Sequence, residues 1–312
     1  MPVWLTHFIN PGDTENKKAF MTTILKLWFS TIVTTFANRG ALLVFAASYA
    51  VLLVATYIFI SIREATIWQV LLTYALMILI PVGFFTLQAA IINRASSQKL
   101  RWRAILIDAL KFLAVTIPLL LIVWLLYYLL SKISARYPAP ILEALPANQP
   151  APLAAPKPPI TPPLHWPSVI FATLRFALLG VAFPLAAIHL WIAIAGGELR
   201  TLFIDGAKSF FKRMGSALTR AFSSDSVFIY GLGLIIFFVL PYITLVPAFT
   251  LNGNKTEFAV FGLRLLLAFL FSLFGWVLTL SALTRTVRGL TPEVSAATAA
   301  PPANSTAWES AG

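Results

Sequence analysis

The sequence predicts an all-α polytopic membrane protein: six transmembrane helices in two groups of three, with basic amphipathic helices at the membrane interface. Three observations predict this. Apolar residues make up 59% of the chain and charged residues only 11%, where soluble chains carry about a quarter charged. The depletion is concentrated in runs long enough to cross a bilayer, which takes about 20 helical residues. A proline-rich stretch, residues 137–167, holds eleven of the 21 prolines and divides those runs three and three. Proline has no amide donor and a fixed φ, so this stretch cannot continue a helix and adopts extended, polyproline-like conformations. The expected organisation is a first three-span half with an N-terminal amphipathic helix (1–131), an external Pro/Ala-rich linker (132–167), a second three-span half with a cytoplasmic amphipathic helix (168–283), and a disordered cytoplasmic tail (284–312).

The opening MPVWLTHFINPGDTENKK lacks the basic start, apolar core and small-residue cleavage site of a signal peptide, so none is expected. Residues 17–36 have helical periodicity, with Thr22, Lys26, Ser30 and Thr34 on one side and Met21, Ile24, Leu25, Trp28, Ile32 and Phe36 on the other. Ser and Thr among the apolar residues favour an interfacial helix with Trp28 at headgroup level; a helix packed in the bundle is the alternative. The first span runs over 41–62 and the second over 67–92, and the tight link between them makes an antiparallel hairpin. The third helix continues without a breaker other than Pro118 from 98 to 131, and its span proper is 112–130. Beyond the linker come the fourth span (168–195), an amphipathic helix (198–222), the fifth span (226–249), a turn at Asn252-Gly253, and the sixth span (258–283). Gly231 and Gly233 in the fifth span permit close helix packing.

Orientation follows from the basic residues. With the N-terminus inside, sixteen of the 23 Lys and Arg fall on the inner side and five on the outer, with Arg175 and Arg264 inside spans. The positive-inside rule then places both termini in the cytoplasm and the linker outside. The lack of cysteine, the compact loops and the Ala/Pro-rich linker suit a bacterial plasma (inner) membrane. The net charge of +12 suggests lipid and not nucleic acid, because the basic residues flank apolar spans and no nucleic-acid recognition motif accompanies them.

Two segments echo each other, LRWRAILIDALKF (100–112) and LRTLFIDGAKSF (199–210). Each reaches Ile-Asp-x-x-Lys, and each follows a span with an internal proline, Pro81 or Pro184. Duplication of a three-element unit is one explanation; the shared composition of basic amphipathic segments is the other. In either case an acid and a lysine three apart share a helix face and can pair.

Motifs for chemistry are absent. Cysteine is lacking, the three histidines are scattered, and HExxH, P-loop, GxSxG and dinucleotide-glycine patterns do not occur. All eleven acidic residues fall in loops, interfaces or tails, which disfavours an ion-coupled carrier built on a mid-membrane carboxylate. The expectation is therefore no catalytic, cofactor-binding or metal-binding residue, no cofactor, and no enzyme activity. Candidates for contact with anionic lipid headgroups are Arg101, Arg103, Lys111, Lys208, Lys212 and Arg213. Intramembrane polar candidates are Gln88, Arg175, His189 and Arg264. The two arginines can snorkel to the outer interface or form an anion-attracting pair, and a lone histidine in a span packs more often than it relays protons. The linker reads as a tether, with a proline-groove ligand as the alternative. The functional expectation is a non-enzymatic assembly, regulatory or accessory component with a basic cytoplasmic face toward the bilayer. The alternative is a transporter or channel built from two related halves.

Overall fold

A computed structural model of the chain describes residues 14–63, 66–96, 101–137, 165–195, 206–246 and 254–289. The elements in order are α1 (Thr14–Ala37), α2 (Arg39–Ser61), α3 (Ile67–Ala95), α4 (Trp102–Ser134), α5 (Trp166–Phe176), a π-helical segment (Ala177–Ala182), α6 (Phe183–Ile194), α7 (Gly206–Ala221), α8 (Ser224–Leu234), a second π-helical segment (Ile235–Val239), α9 (Leu240–Leu245) and α10 (Asn254–Val287). No strand occurs among the described residues. Six helices there are long and apolar enough to cross a membrane: Arg39–Ser61, Ile67–Ala95, Trp102–Ser134, Trp166–Ile194, Ser224–Leu245 and Thr256–Val287. The chain is an all-α, multi-pass membrane protein. Most of the linker, the tail beyond 289, the turn at Asn252-Gly253 and the start of the amphipathic helix expected from 198 lie outside the described residues.

Local chemistry sets the helix ends. Asn38 caps α2 by accepting from the Ala41 amide at 3.2 Å. Thr66 and Gln69 form a reciprocal capping box on α3: the Gln69 amide donates to the Thr66 hydroxyl at 3.4 Å, and the Thr66 amide to Gln69 Oε1 at 2.9 Å. The two π-helical segments end just before Pro184 and Pro241. A proline cannot donate to the carbonyl four residues earlier and clashes with it, and a widened turn lets the freed carbonyls find other donors. Pro81 and Pro118, by contrast, sit inside continuous α-helices.

The chain divides into two compact units, residues 1–114 with 188–312, and residues 115–187. In the larger unit α10 is the central element, touching α1, α3, α8, α9 and the second π segment, while α2 packs on α3 and α1, and α7 on α8. Glycines set the approach of α10 to the fifth span. A Cβ on Gly275 would lie 2.6 Å from the Phe237 backbone nitrogen, and one on Gly233 would overlap the Thr279 side chain. Position 233 thus faces 279 as 237 faces 275, the register of an antiparallel pair in close contact. Trp191 lies at the centre of an aromatic cluster, stacked on Phe112 at 5.8 Å and edge-on to Phe85 at 5.7 Å. In the smaller unit Tyr137 stacks on Phe171 at 6.0 Å.

The N-terminal helix packs in the bundle, which corrects the headgroup placement of Trp28. The buried stripe is Ile24, Leu27, Trp28 and Thr31, spaced as one face of an α-helix, and Trp28 is only 3% exposed. Its Nε1 has no hydrogen-bond partner among the described residues. Met21, Leu25, Phe29 and Val33 form the outward apolar face.

Candidate functional site

Polar groups of the larger unit converge where α3, α6 and α10 end and α4 and α8 begin. At their centre is Asp108. Lys111 Nζ donates to Asp108 Oδ1 at 2.8 Å, and Asn93 Nδ2 donates to Oδ2 at 3.1 Å. Both charged side chains are almost fully buried. Asp108 and Lys111 share the inward face of α4 with Ile105, Ala109 and Phe112, as residues three and four apart must. Lys111 is therefore not a lipid-surface residue, which corrects its place among the headgroup candidates: it is held inside by the carboxylate it neutralises. Neither ion could be buried at tolerable cost alone.

Arg288 lies next to this pair. Its Nη2 donates to the Ala195 carbonyl at 3.2 Å, placing a cation on the C-terminal carbonyls of α6. Burial draws the Arg288 pKa down from its ordinary value, and the Asp108 carboxylate opposes that shift. Asn93 and Arg288 thus tie α3, α4, α6 and α10 to one cluster, and neither was singled out from the sequence. The available signal was positional: Asn93 interrupts an apolar helix within a turn of its C-terminus, and Arg288 follows one directly.

The intramembrane candidates all find protein partners. Gln88 Oε1 accepts from Trp276 Nε1 at 2.7 Å, joining α3 to α10. His189 Nε2 and Ser226 Oγ lie 2.9 Å apart, and Ser223 Oγ donates to Ser226 Oγ at 3.0 Å. Ser223 also caps α8, so this hydrogen-bonded chain fixes the start of a helix. Arg175 Nη2 donates to Ser134 Oγ at 2.6 Å near the end of α4, with its guanidinium 5.7 Å from the Tyr127 ring centroid. Arg264 donates to the Thr244 and Leu245 carbonyls at 2.6 and 2.8 Å, capping the C-terminus of α9. Each arginine thus meets oxygen at the end of a neighbouring helix, where the dipole favours a cation.

Among the headgroup candidates, Arg101, Arg103 and Lys212 are exposed; the side chains of Lys208 and Arg213 lie outside the described residues. Arg220 is exposed on the same helix as Lys212, which lies opposite the buried Ala217 and Ala221 while Arg220 flanks them. Asp205 lies outside the described residues, so the Asp–Lys pairing of the sequence echo is seen only in its first copy.

Two adjoining cavities open at this end. One, of about 300 Å³, is lined by residues including Thr34, Thr35, Asn38, Arg94, Ser281 and Arg285. The other is an apolar groove of about 920 Å³ between α2 and α3 that reaches Trp102 and Ile105. No group of three His, Cys, Asp or Glu suited to a metal ion occurs among the described residues. Compared with known proteins, the chain matches no family model, no curated protein and no solved structure.

Proposed function

We propose that this multi-pass membrane protein is a non-enzymatic assembly, regulatory or accessory component of a bacterial plasma membrane, with both termini cytoplasmic and a basic inner face against anionic lipid. The observation that carries the reading is the division of cations at one end of the larger unit. Lys111 and Arg288 are taken up inside by Asp108 and a helix C-terminus. Arg101, Arg103, Lys212 and Arg220 are exposed and have no partner among the described residues. Cations without protein partners at the end of apolar spans are drawn to anionic headgroups by about 1 kcal/mol each near the surface. The sixteen-to-five distribution of Lys and Arg supports the same end being cytoplasmic.

Two experiments test this. Reporters fused after Gly312 and after Thr35 should read cytoplasmic, and one inserted at Ala151 external; an internal signal at Ala151 overturns the orientation. The triple variant Arg101→Gln, Arg103→Gln, Lys212→Gln should lose crosslinking to anionic lipid, most visibly at low salt, while membrane insertion and Tm stay unchanged. Unchanged lipid contact with a large fall in Tm would make these side chains structural. Solute-dependent flux in liposomes would replace the accessory role with transport.

A further inference from the structure

Beyond the diffuse basic surface, we propose that the larger unit binds one anionic diacyl phospholipid, with its phosphate between Arg94 and Arg285 and its acyl chains in the groove between α2 and α3. The headgroup cavity is lined by Arg94, Arg285, Thr34, Thr35 and Ser281 among others, with no acidic residue among the described ones. Arg285 is half-buried and oriented by donating Nη2 to Thr34 Oγ1 at 2.7 Å. Arg94 has no side-chain partner among the described residues. Asn38 accepts from the Ala41 amide through Oδ1, which leaves its side-chain NH2 as a further donor. Two cations facing one cavity repel each other and lack a counter-charge among the described residues; a phosphate supplies it and accepts the charge-assisted hydrogen bonds that guanidinium forms best.

A free anion would meet those requirements equally well; the groove selects a lipid. The two cavities share Asn38, Ala41, Phe45 and Arg94, so the polar site opens directly into the apolar one. The groove is lined on α2 from Asn38 to Ala55 and on α3 from Leu76 to Arg94, about 25 Å at 1.5 Å per residue. That exceeds the depth of one leaflet, about half of a 30 Å hydrocarbon core. Its walls are aliphatic, through Val44, Leu52, Leu76, Leu79 and Ile80, and a Cβ at Gly40 would meet nothing within 4 Å. A groove of this length with cations at one end has the polarity of a phospholipid lying along the helices. The site shares no arginine with the basic surface above, so either reading can fail alone.

The test uses the full chain in mild detergent and native mass spectrometry. Wild-type protein should retain one phosphatidylglycerol per chain, resist exchange against phosphatidylcholine, and resist displacement by inorganic phosphate. Arg94→Gln, which breaks no hydrogen bond to the described protein, should weaken phosphatidylglycerol retention about tenfold or more, the loss of one hydrogen bond between charged groups. Arg285→Gln should do the same, and Ala47→Trp, which fills the groove, should expel the lipid with both arginines intact. The Arg101→Gln, Arg103→Gln, Lys212→Gln variant should keep the bound lipid. Retention unchanged in Arg94→Gln would overturn the proposal. So would equal displacement by inorganic phosphate, which would make the site one for free anion. Crosslinking of position 47 to a second copy, with no lipid retained, would assign the groove to self-association.

Discussion

Asp108 and Lys111 show how far a residue pattern can be read without its surroundings. Their spacing announced an ion pair, and the pair formed at 2.8 Å. The apolar residues around Lys111 gave no sign of which face of α4 turns inward, because that helix is apolar on nearly every side. Tertiary packing decided it. Asn93 supplied the second carboxylate oxygen with a donor, a contact between helices that periodicity cannot reveal. The energetic consequence is testable. Lys111→Met leaves the Asp108 carboxylate buried without its cation, and Asp108→Asn leaves the ammonium without its anion; each should lower stability by about 3–5 kcal/mol. The double substitution buries no charge and should recover most of that loss. Thermal unfolding of the three variants in one detergent checks this; additive losses in the double variant would show that the two residues act separately.

At the scale of elements, the ends of the spans were legible because they are written in local chemistry. The tight link between the first two spans marked the hairpin of α2 and α3, and the Asn38 cap and Thr66–Gln69 box, seen in the structure, fix where its helices start. The π-helical segments were not legible. Prolines 184 and 241 announced distortion, but Pro81 and Pro118 did so equally and left α-helix intact. What differs before Pro241 is the neighbour: Gly275 of α10 lets the Phe237 backbone approach. Gly275→Ala should therefore be costly, since a Cβ 2.6 Å from the Phe237 nitrogen would force helix against helix. The expected loss is about 1–3 kcal/mol or more. Gly262→Ala, on the same helix with nothing within 4 Å, should be neutral or gain up to about 1 kcal/mol from helix propensity. Comparing Tm for the two variants separates close packing from propensity; equal effects would refute the close-contact account.

The largest unit of the molecule cuts across the order of the chain. The proline-rich stretch suggested two halves, and the spans do fall three before and three after it. Yet the larger compact unit takes residues 1–114 from one side and 188–312 from the other, with α10 touching both α1 and α3. Two kinds of contact join the sides there: hydrogen bonds, Gln88 to Trp276 at 2.7 Å and Tyr49 to Ser272 at 2.8 Å, and the aromatic packing of Phe85 and Phe112 on Trp191. Polar contacts between spans are worth about 0.6–2 kcal/mol each in a membrane, and several acting with close packing should hold the two sides together without a covalent link. A chain cut within the linker should then behave as one protein. Residues 1–150 and 151–312, expressed together as separate polypeptides, should copurify on a tag carried by either one. Protease added to the outer side of intact membranes should nick near Lys157 and leave both pieces associated in mild detergent. Gln88→Leu combined with Trp276→Phe, which removes one of these contacts without adding charge, should weaken copurification of the split form while the intact chain still folds. Independent migration of the two wild-type fragments would mean that each side is a separate folding unit joined by its tether, and that the contacts of α10 with α1 and α3 contribute little to stability.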